Sequence, residues 1–159
     1  MKNVLLFGYG KMGSSIARGW IIKKLNFNVF IIEKQPSLIK IANNDGFKAY
    51  ENIERLRENQ KSKIFDIIFL AVKPQQMEET VKNFFKFNLH KSVFVSIAAG
   101  LSFSWFRNNI NNEVKIVRAM PNLPASIGFG VTGYCKNKNL SEVEHKDCLL
   151  YTSPSPRDV

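Results

Sequence analysis

Short apolar runs recur along this chain, and between them apolar and polar residues mix at the three-to-four-residue spacing of amphipathic helices. Ile67-Ile68-Phe69-Leu70-Ala71-Val72 is apolar at every position, as a strand covered on both faces must be. The same reading predicts strands over Asn3–Phe7, Asn28–Glu33, Phe47–Tyr50, Asp66–Val72, Ser92–Ile97 and Val114–Ala119. Helices are predicted over Lys11–Leu25, Ser37–Asn44, Asn52–Asn59, Gln75–Phe87 and Ser102–Asn109. Punctuation fits these bounds: Pro36 suits a helix start, Asp45-Gly46 closes that helix, and Ser102 can cap the helix after Gly100. Alternation of this kind builds an α/β fold with a mostly parallel, doubly wound sheet and helices on both faces.

The first strand breaks into Gly8-Tyr9-Gly10-Lys11-Met12-Gly13, a G-x-G-x-x-G turn that reads on into a helix. A buried strand, a glycine turn and a helix N-terminus together make a Rossmann-type site for a dinucleotide pyrophosphate. Gly8 permits the turn, Gly10 keeps a side chain out of the ligand's way, and Gly13 lets the helix approach the sheet. The backbone amides of Gly8 to Gly13, more than their side chains, are the expected contacts. Glu33 ends the second strand 20 residues beyond Gly13, where an acid hydrogen-bonds the adenosine ribose. Glu33 favours a free 2′-hydroxyl and so leans the choice toward NADH, while Lys34 beside it can pair with a 2′-phosphate.

Three loops follow strands at the edge where open α/β sheets bind ligands. Ala71-Val72-Lys73-Pro74-Gln75-Gln76 offers small apolar residues, a cation and a fixed turn. Ser96-Ile97-Ala98-Ala99-Gly100-Leu101 is again small where bulk would block a cofactor. Arg118-Ala119-Met120-Pro121-Asn122-Leu123-Pro124 brackets an amide side chain with two prolines. Together with the glycine turn they are expected to form one cleft.

In this order and spacing, Gly8-Tyr9-Gly10-Lys11-Met12-Gly13, Ala71-Val72-Lys73-Pro74-Gln75, Ile97-Ala98-Ala99-Gly100 and Arg118-Ala119-Met120-Pro121-Asn122-Leu123-Pro124 resemble pyrroline-5-carboxylate reductase. The resemblance runs from Met1 to about Asp147. It implies an NAD(P)-binding Rossmann domain over 1–147 and the last step of proline biosynthesis, in which NADPH or NADH reduces 1-pyrroline-5-carboxylate. It also implies that Ala71, Val72, Lys73, Pro74, Ala98 and Ala99 lie along the nicotinamide and its ribose. Asn52 falls on the adenine side, and Met120, Pro121 and Asn122 line the nicotinamide pocket. The family further carries an all-helical domain that makes its homo-oligomer and holds the substrate carboxylate with a Ser/Gly-rich segment. Nothing like that segment occurs here, so no catalytic residue is assigned. The alternatives are a two-domain dehydrogenase of the β-hydroxyacid type and a non-catalytic nucleotide-binding module.

Composition changes this picture in three places. The 159 residues, 45% of them hydrophobic, suffice for one domain with a core. A formal charge of +10 raises nucleic acid or an anionic membrane as partners, but the lysines are scattered in ones and twos, so both are set aside. The positive field still suits a phosphate-bearing cofactor. Cys135 and Cys148 offer neither a disulfide framework nor metal-ligand spacing, and no run is long enough to span a membrane, which points to the cytoplasm. Finally, residues 148–159, ending Tyr-Thr-Ser-Pro-Ser-Pro-Arg-Asp-Val, resemble a translated sequencing adapter rather than a domain end. The reading frame is therefore expected to stop partway through a longer protein, leaving the surface near Phe129–Tyr134 and after Ser141 bare.

Overall fold

The computed structural model describes residues 1–122, 130–136 and 139–144. Val4 to Phe7, Ile67 to Leu70 and Val93 to Ser96 are buried at every position, and the sheet they form is accordingly covered on both faces. In chain order the elements are β1 (Lys2–Phe7), α1 (Lys11–Ile22), β2 (Phe27–Ile32), α2 (Pro36–Asn44), β3 (Lys48–Tyr50) and α3 (Ile53–Asn59). They continue with β4 (Ile67–Leu70), α4 (Pro74–Val81), β5 (Val93–Ser96), α5 (Phe103–Asn109), β6 (Lys115–Asn122) and β7 (Gly130–Lys136).

The strand order is β3-β2-β1-β4-β5-β6-β7, parallel through β6, with β7 antiparallel at the edge. Strand β1 is central: Leu6 lies in register with Ile31 of β2 on one side and Phe69 of β4 on the other. The chain leaves β1 toward β2 and later returns to β4 on its opposite flank. That reversal opens a crevice at the C-terminal ends of β1 and β4, where doubly wound sheets bind ligands. Helices α1 and α2 cover one face through Ile16, Ala17, Trp20 and Ala42, packed on Val4, Leu6 and Phe69. Helices α3, α4 and α5 cover the other through Leu56, Met77, Val81 and Phe106, packed on Leu5, Phe7 and Phe94. Phe84 ties the second layer together, tilted 5.2 Å from Phe7 and stacked 5.6 Å from Phe94.

The structure departs from the sequence reading by three residues or more at three element ends. Helix α1 stops at Ile22 instead of Leu25 because Lys24 turns left-handed at φ 55, with Lys24 N–H bonded to Ile21 O and Leu25 N–H to Trp20 O. Helix α4 stops at Val81 instead of Phe87, and the turns after it close at Asn88, φ 58, where Leu89 N–H reaches Phe84 O at 2.7 Å.

The third departure bears on the site. The stretch from Met120 to Asn122, expected in an open loop, continues β6, and its backbone pairs with β7, a strand the sequence reading did not foresee. Pro121 reads as a strand breaker, yet here it follows a register shift between Met120 and Pro121, the kind of irregularity at which a residue without an N–H is tolerated. Gly130, Val131, Gly133 and Tyr134, within the surface expected to be bare, have their backbone paired with β6. Leu123, Pro124, Phe129 and the 148–159 tail lie outside the described residues. Among the described residues no helix is long and apolar enough to cross a membrane.

Candidate functional site

The end of β1 is held from both sides before the chain turns. Ala71 N–H donates to Phe7 O and Gly8 N–H to Ile32 O, each at 2.9 Å. Gly8 then adopts φ +98, and a Cβ there would stand 2.7 Å from Ala71 O. At Gly13 a Cβ would stand 1.9 Å from Gly8 O, so the first turn of α1 is pressed directly on the turn that precedes it. Gly10 is the opposite case, with nothing within 4 Å of a Cβ. Helix α1 starts after Gly10 with no side-chain cap and no acid in its first turn, which leaves its leading N–H groups to an external anion. These are the features a pyrophosphate cradle requires, and the residues present fit one.

Glu33, expected at the ribose, is engaged within the protein. One carboxylate oxygen accepts from Tyr9 N–H and the other from Gln35 N–H, both at 2.8 Å, so the side chain clips the glycine turn to the start of α2. Tyr9 is correspondingly committed. Its ring is 1% exposed and packs edge-on against Phe47, while its hydroxyl donates to Asp45, which Arg18 also holds at 3.0 Å. Burial, then the hydrogen bond and negative charge of Asp45, push the Tyr9 phenol well above its ordinary value. With N–H and hydroxyl both spent inside the protein, Tyr9 shapes the turn and offers neither group to a ligand. Met12 likewise turns its side chain onto the core, whereas Lys11 is exposed.

A cavity of about 300 Å³ opens beside the turn, lined by Gly8, Glu33, Lys34, Val72, Gln76 and Thr80. A second, of about 140 Å³, shares Phe7, Ile32, Lys34 and Thr80 with it and continues to Asn52, Glu79 and Asn83. The two make one cleft along the C-terminal ends of β1 and β2. Asn52 caps α3, its side-chain oxygen accepting from Arg55 N–H at 2.8 Å. The structure thus brings Gly8, Glu33, Asn52 and Val72 together. Ala71 abuts them, its Cβ 3.5 Å from the place a Gly13 side chain would take. Lys73 and Pro74 start α4 and are exposed beyond the described cavities. Ala98, whose N–H donates to the Ser96 hydroxyl at 3.3 Å, and Ala99 follow β5 on the same edge. Met120, Pro121 and Asn122 stand three strands from β1, in β6.

The sequence reading missed the wall that α4 and the turn after it supply. Gln76, Thr80 and Asn83 recur at i, i+4 and i+7, a polar stripe beside the buried Met77, Val81 and Phe84. That spacing was the available signal.

Comparison with known proteins follows the same lines. A family profile described as NADP oxidoreductase, coenzyme F420-dependent, matches residues 3–100. The chain belongs to this family of nucleotide-dependent oxidoreductases. Within it, the chain is related to the N-terminal NAD(P)-binding domain of the pyrroline-5-carboxylate reductases. The enzyme of that name from Aquifex aeolicus is 30% identical over 139 residues, 87% of this chain and 49% of the relative. The Plasmodium falciparum pyrroline carboxylate reductase, solved with NADP bound, superimposes with a TM-score of 0.73 at 25% identity, over 96% of this chain and 55% of that one. The Coxiella burnetii reductase shares the fold with a TM-score of 0.83 at 19% identity, over 96% and 56%. The chain spans about half the length of the curated relatives it matches.

Proposed function

We propose that this chain supplies the nucleotide-binding half of an enzyme that reduces 1-pyrroline-5-carboxylate to proline with NADH or NADPH. The observation that carries the reading is the paired geometry of the glycines: Gly13 packed on Gly8 O, Gly10 open to a ligand. The substrate assignment rests on the reductases to which the chain is related over most of its length. In this reading the amides of Gly10, Lys11, Met12 and Gly13 hold the pyrophosphate, with Gly8 and Tyr9 fixing the turn. Glu33 and Asn52 serve the adenosine. Ala71, Val72, Lys73, Pro74, Ala98 and Ala99 line the nicotinamide half, with Met120, Pro121 and Asn122 beyond them.

A reduced nicotinamide, when bound, supplies the hydride that an electrophilic imine carbon accepts. The chain's own residues bind and orient, and the small side chains at 71, 98 and 99 leave room for a flat ring. Hydride transfer also requires the substrate to be held at near-attack distance, roughly 3 to 3.5 Å. The family resemblance assigns that task to a helical domain, so the 159-residue polypeptide is expected to bind nucleotide and to reduce the imine at a negligible rate. Fluorescence titration with NADH and NADPH tests the first half of the statement, and a steady-state assay with the imine tests the second. No saturable binding of either nucleotide, or a rate near that of a full-length relative, would overturn the corresponding half.

A further inference from the structure

The formal charge of +10 is unevenly divided between the two ends of the strands. Because β1 to β6 run parallel, their strand-to-helix connections lie on the cleft side and their helix-to-strand connections on the opposite, amino-terminal rim. The cleft-side connections carry Lys34 and Lys73 against Glu33 and Glu51. The rim carries Lys23 and Lys24 before β2, Lys61 and Lys63 before β4, and Lys82, Lys86 and Lys91 before β5, against Asp45, Asp66 and Glu113. Lysines scattered in ones and twos along the sequence are thus gathered in space. Lys82 is paired with Glu79 and Asp45 with Arg18, but Lys24, Lys61 and Lys91 have no acidic partner among the described residues. The same rim exposes large apolar side chains. Ile64 before β4 and Phe85 before β5 are 75% and 71% exposed, and Ile22 ends α1, exposed beside Lys23. The cleft-side connections between β1 and β6 expose none. Arg57 fixes the segments of Ile64 and Phe85 to each other, its guanidinium donating to Lys63 O at 2.8 Å and to Phe87 O at 3.0 Å. Phe85 stacks on His90 at 4.2 Å, and His90 lines a cavity of about 330 Å³ with Lys91, Asn111, Glu113 and Lys115, the last paired with Glu144.

We propose that this rim docks the chain on an anionic phospholipid surface, with Ile64 and Phe85 entering the interfacial layer and the lysines around them meeting lipid phosphates. Interleaved cations and apolar side chains combine Coulomb attraction with burial, and stable peripheral binding takes both. The cavity next to Phe85 gives a headgroup phosphate room beside Lys91. A nucleic acid fits less well. Bases stack on open ring faces, but one face of Phe85 is taken by His90, and Ile22 and Ile64 have no ring to offer. The inference does not depend on the nucleotide reading and is compatible with it, since the six residues of β1 put the cleft about 20 Å from the docked rim.

The test is flotation of the purified chain with phosphatidylcholine vesicles, with and without about 30% phosphatidylglycerol, at low and high salt. Affinity for the anionic vesicles is expected to exceed that for the neutral ones at least about tenfold, and to fall several-fold between about 0.05 and 0.5 M salt. Two double variants change the net charge equally but at opposite ends of the strands. Lys61→Glu with Lys91→Glu should weaken vesicle binding at least about tenfold, whereas Lys34→Glu with Lys73→Glu should change it by no more than about twofold. Phe85→Ser should weaken it several-fold, and Phe85→Trp should add emission that shifts to the blue with anionic vesicles only. If the lysine variants fail to fold, the wild-type preference for anionic vesicles and its salt dependence still decide. Equal binding to both kinds of vesicle, equal losses from the two lysine pairs, or Phe85→Trp emission that does not shift would overturn the inference. So would displacement from vesicles by duplex DNA with Phe85→Ser binding like wild type, which would assign the rim to nucleic acid. A dimer that Phe85→Ser dissolves, with no vesicle binding, would give the rim to a second copy of the chain and overturn the inference as well.

Discussion

The two ends of this sheet edge are built on different principles. Around β1, β2 and β4 the backbone is locked by direct contact: Gly8 and Gly13 leave no room for a methyl group, and Glu33 ties the turn to α2 with two 2.8 Å bonds. Around β5 the edge is shaped by small residues with looser ties. Gly100, at φ +83, has nothing within 4 Å of where a Cβ would stand, and Ala98 is held by one 3.3 Å bond to Ser96. The first end is fixed in advance of any ligand, which lowers the ordering cost of binding. The second leaves space.

The contrast breaks most visibly at glycine. Gly13→Ala puts a methyl group 1.9 Å from a backbone oxygen that cannot move aside cheaply, and should cost about 3 kcal/mol or more of unfolding free energy along with nucleotide binding. Gly10→Ala should separate the two effects. With φ −72 and open space around it, Gly10 tolerates a methyl group within about 1 kcal/mol in urea denaturation, yet the same methyl should weaken nucleotide binding at least about tenfold. Gly100→Ala, strained by its positive φ but free of clashes, should cost about 1 kcal/mol. If Gly13→Ala and Gly10→Ala behaved alike, the glycine turn would not be the packed object described here.

A smaller effect distinguishes the turn's inner support from its ligand face. Tyr9→Phe removes the donor to Asp45 but leaves the Arg18–Asp45 pair, and should cost about 1–2 kcal/mol with nucleotide affinity unchanged. The same residue gives a pH signature. Its folded-state pKa lies above the ordinary 10.0, so the unfolded chain loses the phenolic proton first. The contribution of Tyr9 is therefore complete below about pH 10 and declines as pH rises toward the folded value. The stability difference between wild type and Tyr9→Phe should narrow over that alkaline range and stay constant across neutral pH.

Much of this was legible in the chain because the physics involved is local. A two-sided strand such as Ile67–Leu70 has no alternation to misread, and Gly8 and Gly13 mark backbone approaches that no other residue permits. What stayed hidden needed partners distant in sequence, or an unusual backbone. The ends of α1 and α4 depend on Lys24 and Asn88 turning left-handed without a glycine to announce it. Strand β7 depends on a register shift that accommodates Pro121. Glu33 was recognised from its distance to Gly13, but not its bond to the Tyr9 amide, because spacing shows where a carboxylate lies and not what already occupies it. Tyr9 looked like a ligand contact for the same reason, and its burial against Phe47 and Asp45 appears only in three dimensions.

The finest comparison uses two caps of the same kind. Asn52 caps α3 through Arg55 N–H at 2.8 Å, and Ser102 caps α5 through Trp105 N–H at 3.1 Å. Both are exposed, and replacing either with alanine should lower stability by about 1 kcal/mol, the ordinary worth of an N-cap. Their positions relative to the cleft differ. Asn52 lines the smaller cavity beside Lys34 and Thr80, whereas Ser102 lines neither cavity of the cleft. Asn52→Ala should therefore weaken NADH binding several-fold beyond any effect of stability, and Ser102→Ala should leave it within experimental error. Matched losses of stability with unmatched losses of affinity would locate the adenosine at the α3 end of the crevice. Equal affinities in the two variants would mean that Asn52 is a helix cap and nothing more, and that the nucleotide is gripped by the turn and Glu33 alone.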